Sequence, residues 1–161
     1  MTTIAYKDGC MVSDSQMTNG SIKVMGIHKV FRTNGLLVGI AGPAQRINEC
    51  LNWLMRCEEL CQSSGKEVTL DRFHQLESPD LGDEEIEMLV VCQTTACVHI
   101  VNQYGHCIEL GENAPFAIGT GQNFAMGVLY HGASAREAVE IAIRLDVCSG
   151  GDLTELSLYI P

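Results

Sequence analysis

Thr2 follows Met1 directly, and Thr3 and Ile4 come next. A threonine at a chain's N-terminus carries two reactive groups on one residue. Its hydroxyl is a weak nucleophile until a base removes its proton. Its free α-amine has a pKa of about 7.7–8.0, so much of it is neutral at working pH. Covalent geometry holds that amine beside the hydroxyl, so the residue can act as nucleophile and base together. The chemistry requires that Met1 be removed, which a small second residue such as Thr2 permits. Many chains begin Met-Thr, so the pair alone is an unspecific signal.

Three further residues fit the same chemistry. Asp14 closes the second of two apolar runs, Lys29 opens a later one, and Gly39 lies within Leu37-Val38-Gly39-Ile40-Ala41-Gly42. A buried lysine beside an N-terminal amine lowers the amine's proton affinity and stabilises negative charge, and a carboxylate would hold that lysine. A glycine lets the backbone approach a substrate closely, and its N–H can serve an oxyanion. Plainer readings stand beside these: Asp14 as a turn residue, Lys29 as an exposed charge at a strand end, Gly39 as a packing glycine.

The elements that must position these residues are legible as periodic runs. Thr3 to Tyr6 and Cys10 to Ser13 read as strands joined at Asp8-Gly9, a favoured hairpin pair. Ser15 to Gly20 is polar and reads as loop. Lys29 to Arg32 and Leu36 to Ala41 form a second hairpin about Thr33-Asn34-Gly35. Gly42-Pro43 breaks the pattern, and a helix follows with Pro43 in its first turn. Its apolar face is Ile47, Leu51, Leu54 and Leu60 with Cys50 and Cys57, and Ser63-Ser64-Gly65 ends it. Val68 to Leu76 predicts a short helix and Glu77 to Asp83 a loop.

Strands resume at Ile86 to Cys92, Ala96 to Val101, His106 to Leu110 and Phe116 to Gly119. Helices are expected over Asn123 to Tyr130 and Ala135 to Leu145. The second carries a capping box, Ser134 with Glu137, and an apolar face of Ala138, Ile141, Ala142 and Leu145. A last strand is expected from Leu153 to Ile160. This order predicts an α+β chain in which two mainly antiparallel sheets pack face to face with helices outside.

A chain of 161 residues fits one domain, taken here as residues 1–161. The formal charge of -10, from 20 acidic and 10 basic residues, argues against a nucleic-acid partner, whose binding needs a basic face. No run approaches the roughly 18 apolar residues of a membrane span, and no charged n-region with an apolar h-region opens the chain. The eight cysteines sit within periodic apolar segments and read as small buried hydrophobes in a reducing cytoplasm. A zinc site is not expected, because no C-x-x-C pair exists and His28, His74, His99, His106 and His131 are scattered.

Six segments in order resemble the proteasome β-type subunits and the related HslV-type peptidases, which are N-terminal nucleophile hydrolases. They are Thr2-Thr3-Ile4, Asp14 to Thr18, Lys29-Val30-Phe31, Val38 to Gly42, Ala117 to Gly121, and Ala138 to Ile143 followed by Asp146 to Gly151. The resemblance implies an αββα sandwich and a threonine-type endopeptidase that cleaves unfolded polypeptides through an acyl-enzyme. It makes Thr2 the nucleophile, Asp14 and Lys29 the charged pair beneath it, and Gly39 the oxyanion donor. Thr120, where serine is usual, joins Asp146 and Ser149 in steadying the threonine. The carbonyls of Leu145, Cys148 and Gly151 match a sodium site of HslV-type enzymes, and no other cofactor is implied.

Met17, Ile27, Phe31 and Ala41 are candidates for the pocket that takes the residue before the scissile bond, with plain core as their other reading. The resemblance further implies stacked rings and a separate AAA+ unfoldase. Two other functions share some of these residues: an N-terminal nucleophile amidase with a small substrate, and a non-catalytic ring subunit. The second usually lacks part of the Thr/Asp/Lys set that stands complete here.

Overall fold

The computed structural model describes residues 2–63 and 79–159. The chain begins with strands β1 (Thr3–Lys7) and β2 (Cys10–Ser13). Both turn residues, Asp8 and Gly9, have positive φ, at 50° and 76°. That is the backbone a two-residue hairpin with right-twisted strands demands. A second, outlying hairpin follows, β3 (Met17–Asn19) and β4 (Ile22–Val24). Next come β5 (Val30–Arg32) and β6 (Leu36–Ala41), then a single 3₁₀ turn, Ala44–Arg46, and α1 (Ile47–Ser63).

The second half runs β7 (Glu87–Cys92), β8 (Cys97–Asn102), β9 (Cys107–Glu112) and β10 (Phe116–Gly119). Helices α2 (Gln122–Tyr130) and α3 (Ala135–Leu145) precede the last strand, β11 (Thr154–Ser157). Two antiparallel sheets result, with strand orders β10-β1-β2-β11 and β5-β6-β7-β8-β9.

Strand alternation sorts the core into three layers. Leu37, Ala41, Leu89, Val91 and Val98 face inward and meet Ile4, Tyr6 and Met11 of the smaller sheet. Their neighbours Leu36, Val38, Ile40, Met88 and Val90 face outward and lie under Trp53, Leu54 and Cys57 of α1. On the other side, Ala5, Val12 and Ala117 pack beneath Ala125 and Leu129 of α2 and Ala138 and Ala142 of α3. The fold is therefore a four-layer αββα sandwich. The small alanines let α2 and α3 settle close to their sheet. Ser134 caps α3 as expected, its side chain accepting from Glu137 N–H while the Glu137 carboxylate accepts from Ser134 N–H.

Several expectations need correction. Ser15 to Gly20 is not plain loop, because Met17–Asn19 pairs with Ile22–Val24. That hairpin is largely solvated, so no apolar alternation announces it. Pro43 does not open α1 but precedes the 3₁₀ turn, and α1 starts at Ile47. Leu60 and Leu145 are exposed, 48% and 57%, while Trp53, Cys61 and Val139 turn inward instead. The last strand is shorter than expected. Residues 68–76 lie outside the described residues, as do 77 and 78 of the expected loop.

All eight cysteines are free thiols. Burial pushes Cys50 and Cys92 up to about 11 and Cys57 to about 12, so these three are inert packing groups. Among the described residues no helix is long and apolar enough to cross a membrane.

At Gly39 the two sheets pack closely. A β-carbon there would lie 2.7 Å from Ile4 Cγ2 and 3.1 Å from Met11 Sδ. Gly39→Ala is expected to cost about 1–3 kcal/mol of stability through overpacking. Ser134→Ala should cost about 1 kcal/mol through the lost cap. Thermal unfolding followed by circular dichroism checks both, and an unchanged midpoint for Gly39→Ala would contradict the close packing at this point.

Candidate active site

The β1–β2 register sets Ser13 opposite Ile4, so the next residue, Asp14, falls beside the start of β1. Its N–H donates to the Thr3 carbonyl at 3.1 Å, which turns its side chain beneath Thr2 and Thr3. The carboxylate is fully buried. Its Oδ1 accepts from Thr2 Oγ1 at 2.5 Å, Thr3 N–H at 3.0 Å and Lys29 Nζ at 2.8 Å. Its Oδ2 accepts from Gln16 N–H at 3.2 Å and Gly150 N–H at 3.0 Å.

Lys29 sits one residue before β5, and its carbonyl accepts from Ile40 N–H, which ties it to β6. Its ammonium also donates to the Gln16 carbonyl at 2.5 Å. Burial pulls that ammonium below its usual range, and the Asp14 carboxylate resists the pull. Lys29 is buried, unlike an exposed strand-end charge, and Asp14 also makes a turn contact through Gln16 N–H.

A second cluster lies at the other side of Thr2. Asp146, the C-cap of α3, accepts on Oδ2 from Thr120 Oγ1 and Ser149 Oγ, each at 2.6 Å, and on Oδ1 from Cys148 N–H at 3.1 Å. Burial works to raise its carboxyl. The bonds from Ser149, Thr120 and Cys148 outweigh burial and hold the group below the ordinary carboxylate range. Ser149 Oγ lies 2.7 Å from Thr3 Oγ1, and Thr120 Oγ1 donates to the Thr2 carbonyl at 3.4 Å. The loop after α3 joins the two clusters, since Gly150 donates to Asp14 and accepts from Ser15 N–H.

Thr2 opens onto a cleft of about 520 Å³, whose wall includes Ala41, Gly42, Glu87, Gly119 and Thr120. Gly39 is not part of it. The inward-facing position of Gly39 in β6 abuts Ile4 and Met11, and Val30 and Leu89 pair with it on either side. Its N–H belongs to the middle of a sheet, between β5 and β7, and the residue packs against the facing sheet rather than lining the cleft. Gly42, just past the end of β6, lines the cleft with Thr2. A β-carbon at Gly42 would lie 2.9 Å from Ile86 Cγ1.

The four pocket candidates are also split. Met17 and Ile27 line a narrow pocket with Ile40 and Ala44, Phe31 packs against the core under α1, and Ala41 borders the main cleft. Sequence reasoning missed Gln16 and Gly150, both of which bind Asp14 through the backbone and leave no side-chain signature. Gly42 was visible as a Gly-Pro break but not as a cleft residue. Met1 lies outside the described residues.

Chemically, the site offers a hydroxyl whose proton points at a carboxylate oxygen shared with an ammonium. Backbone at Gly42 stands across the cleft, and a second carboxylate is wired to the Thr2 carbonyl through Thr120.

Two solved structures share this architecture. HslV from Trypanosoma brucei matches with a TM-score of 0.72 at 21% identity, over 97% of this chain and 99% of that one. BPH from Thiobacillus denitrificans, in complex with epoxomicin, matches with a TM-score of 0.65 at 19% identity, over 99% of each chain. No family model matches the sequence, and no curated protein sequence matches it either. At these identities the likeness is one of fold, and the chain has the αββα fold of HslV.

Proposed function

We propose that this chain is a threonine-type endopeptidase subunit, one domain over residues 1–161, that hydrolyses peptide bonds of unfolded polypeptides. The observation that carries the reading is the shared oxygen of Asp14. Thr2 Oγ1 and Lys29 Nζ both donate to it at the mouth of a cleft. Removal of Met1 frees the Thr2 amine to act as base. The hydroxyl attacks the substrate carbonyl, and the negative charge that develops on its oxygen meets the N–H of Gly42 and the field of Lys29. The acyl-enzyme on Thr2 is then released by water. Thr120, Asp146 and Ser149 hold the threonine and its amine in position rather than reacting.

The fold shared with HslV supports self-association into stacked rings. Exposed apolar residues such as Ile22, Tyr130 and Val147 supply surface for it. An AAA+ unfoldase and a cytoplasmic setting belong to the same reading. So does a sodium ion in the loop after α3. Among the described residues, hydrogen bonds end on the loop carbonyls of Asp146, Val147 and Gly150, and those of Leu145, Cys148 and Gly151 would hold the cation. An ion there would brace the loop that carries Asp146 and Ser149.

Thr2→Ala is expected to abolish hydrolysis of fluorogenic peptides and of an unfolded polypeptide without loss of fold. Activity that survived would overturn the mechanism. Epoxomicin, the ligand in the BPH structure, should inhibit the unaltered enzyme, whose N-terminal mass should show Met1 removed. Native mass distinguishes a closed ring from a small amidase-like oligomer.

Lys29→Ala should lower kcat/KM by roughly 100-fold or more, since it removes the charge nearest the developing oxyanion. The pH profile tests the same group. Because the folded-state pKa of Lys29 is lowered by burial, activity should fall on the alkaline side before the 10.5 of an ordinary lysine. In that window the unfolded chain binds more protons than the folded one, so the contribution of Lys29 to stability improves as pH rises. Activity should therefore decline there without a matching drop in thermal stability.

A further inference from the structure

We propose that Cys97, His99 and Glu109 form a zinc-binding site on the outer face of the five-stranded sheet, separate from the Thr2 cleft. The spacing of cysteines and histidines along the chain gives no hint of it, because the site is made by strand pairing. Cys97 and His99 are two residues apart on β8, so both side chains leave the same face. That face also carries Val101, which packs in the core layer under α1.

The third donor arrives through an irregularity. The pairing of β8 with the edge strand β9 runs Cys97↔Glu112 and Val98↔Gly111, then slips to His99↔Glu109. Without the slip, Leu110 would stand opposite His99. The extra residue bulges out next to Gly111, whose φ of 107° suits such a kink. The bulge thus sets a carboxylate against an imidazole where an aliphatic side chain would otherwise lie.

The three donor atoms all lie within 4.8 Å of one another. His99 Nε2 is 3.5 Å from a Glu109 carboxylate oxygen, and the Cys97 thiol hydrogen-bonds to the same carboxylate. Zinc bonds of about 2.0 Å to nitrogen or oxygen and about 2.3 Å to sulfur, arranged tetrahedrally, require donors roughly 3.3–3.5 Å apart. Small side-chain rotations close the remaining gap. A thiolate, an imidazole and a carboxylate suit a borderline divalent cation such as Zn²⁺, whereas Ca²⁺ and Mg²⁺ demand oxygen donors throughout.

Exposure grades outward across the trio. The His99 side chain is 6% exposed and that of Glu109 is 64%, so an ion enters past Glu109 and meets an imidazole fixed in the sheet. Three protein donors leave a fourth position for water or another small ligand. The site clamps edge strand β9 to β8. The far end of β8 reaches the cleft at Asn102, three residues beyond His99 and roughly 10 Å along a strand.

The test uses the full chain with Zn²⁺ alone by calorimetry, and with Co²⁺ as a spectroscopic stand-in. One equivalent of Zn²⁺ should bind and raise the unfolding midpoint. Co²⁺ should give the d–d bands of a four-coordinate site together with a thiolate-to-metal charge-transfer band. Cys97→Ser should abolish that band, and Glu109→Gln, an exposed change that spares folding, should weaken binding at least tenfold. Cys10→Ser, on the other sheet, should bind like the unaltered chain. Absence of stoichiometric binding would overturn the proposal. So would binding of unchanged affinity in both Cys97→Ser and Glu109→Gln, which would place the ion on other thiols.

Discussion

A carboxylate shut away from water must replace its hydration shell with protein donors or give up its charge. Asp14 gathers five, from Thr2, Thr3, Gln16, Lys29 and Gly150. These come from the first strand, the residues after the second, the start of β5 and the loop after α3. No one of these segments can move without leaving part of a buried charge unpaired, and an unpaired buried charge costs about 3–5 kcal/mol. The carboxylate therefore acts as a common anchor that draws distant parts of the chain to the same end of the sandwich. The Thr2 hydroxyl is one of its five donors, so the site's geometry and the fold's integrity rest on the same group.

The sandwich explains why that end is open to chemistry. Inward-facing side chains of the two sheets fill the space between them, and at Gly39 the sheets approach so closely that no β-carbon fits. Beyond Gly39 the chain leaves the sheet at Gly42, and the interior gives way to the cleft that Thr2 lines. Close packing and the cleft are consecutive stretches of one strand. The glycine that permits the first differs from the glycine that borders the second.

Local signals were legible where local physics decides the outcome. Asp8-Gly9 specifies its hairpin through positive φ, and Ser134 with Glu137 specifies the start of α3. The unbroken apolar run of β6 marks a strand buried on both faces. Thr2, Asp14 and Lys29 were readable as residue types suited to one chemistry. What was not legible depends on partners far along the chain. Leu60 and Leu145 have core composition but face solvent, because helix rotation is set by the sheet beneath. That Gly39 packs between the sheets follows from its contact with Ile4, far back along the chain, and no local window of sequence contains both. The backbone donors at Gln16 and Gly150 leave no compositional trace.

The two carboxylates beside Thr2 show how environment separates roles for one side-chain type. Asp14 is wholly enclosed and shares an oxygen with a cation, so it fixes the position of the Lys29 charge under the hydroxyl. Asp146 is partly exposed, meets two hydroxyls and one N–H, and is held ionised by them. Each of those hydroxyls reaches a different threonine: Thr120 bonds the Thr2 carbonyl, and Ser149 bonds the Thr3 side chain. Asp146 therefore fixes the backbone of the N-terminal strand, while Asp14 fixes the side chain above it. In the proposed mechanism the Thr2 hydroxyl must keep its place through attack and release. Two anchors of different kind, one on the backbone and one on the hydroxyl, hold it there.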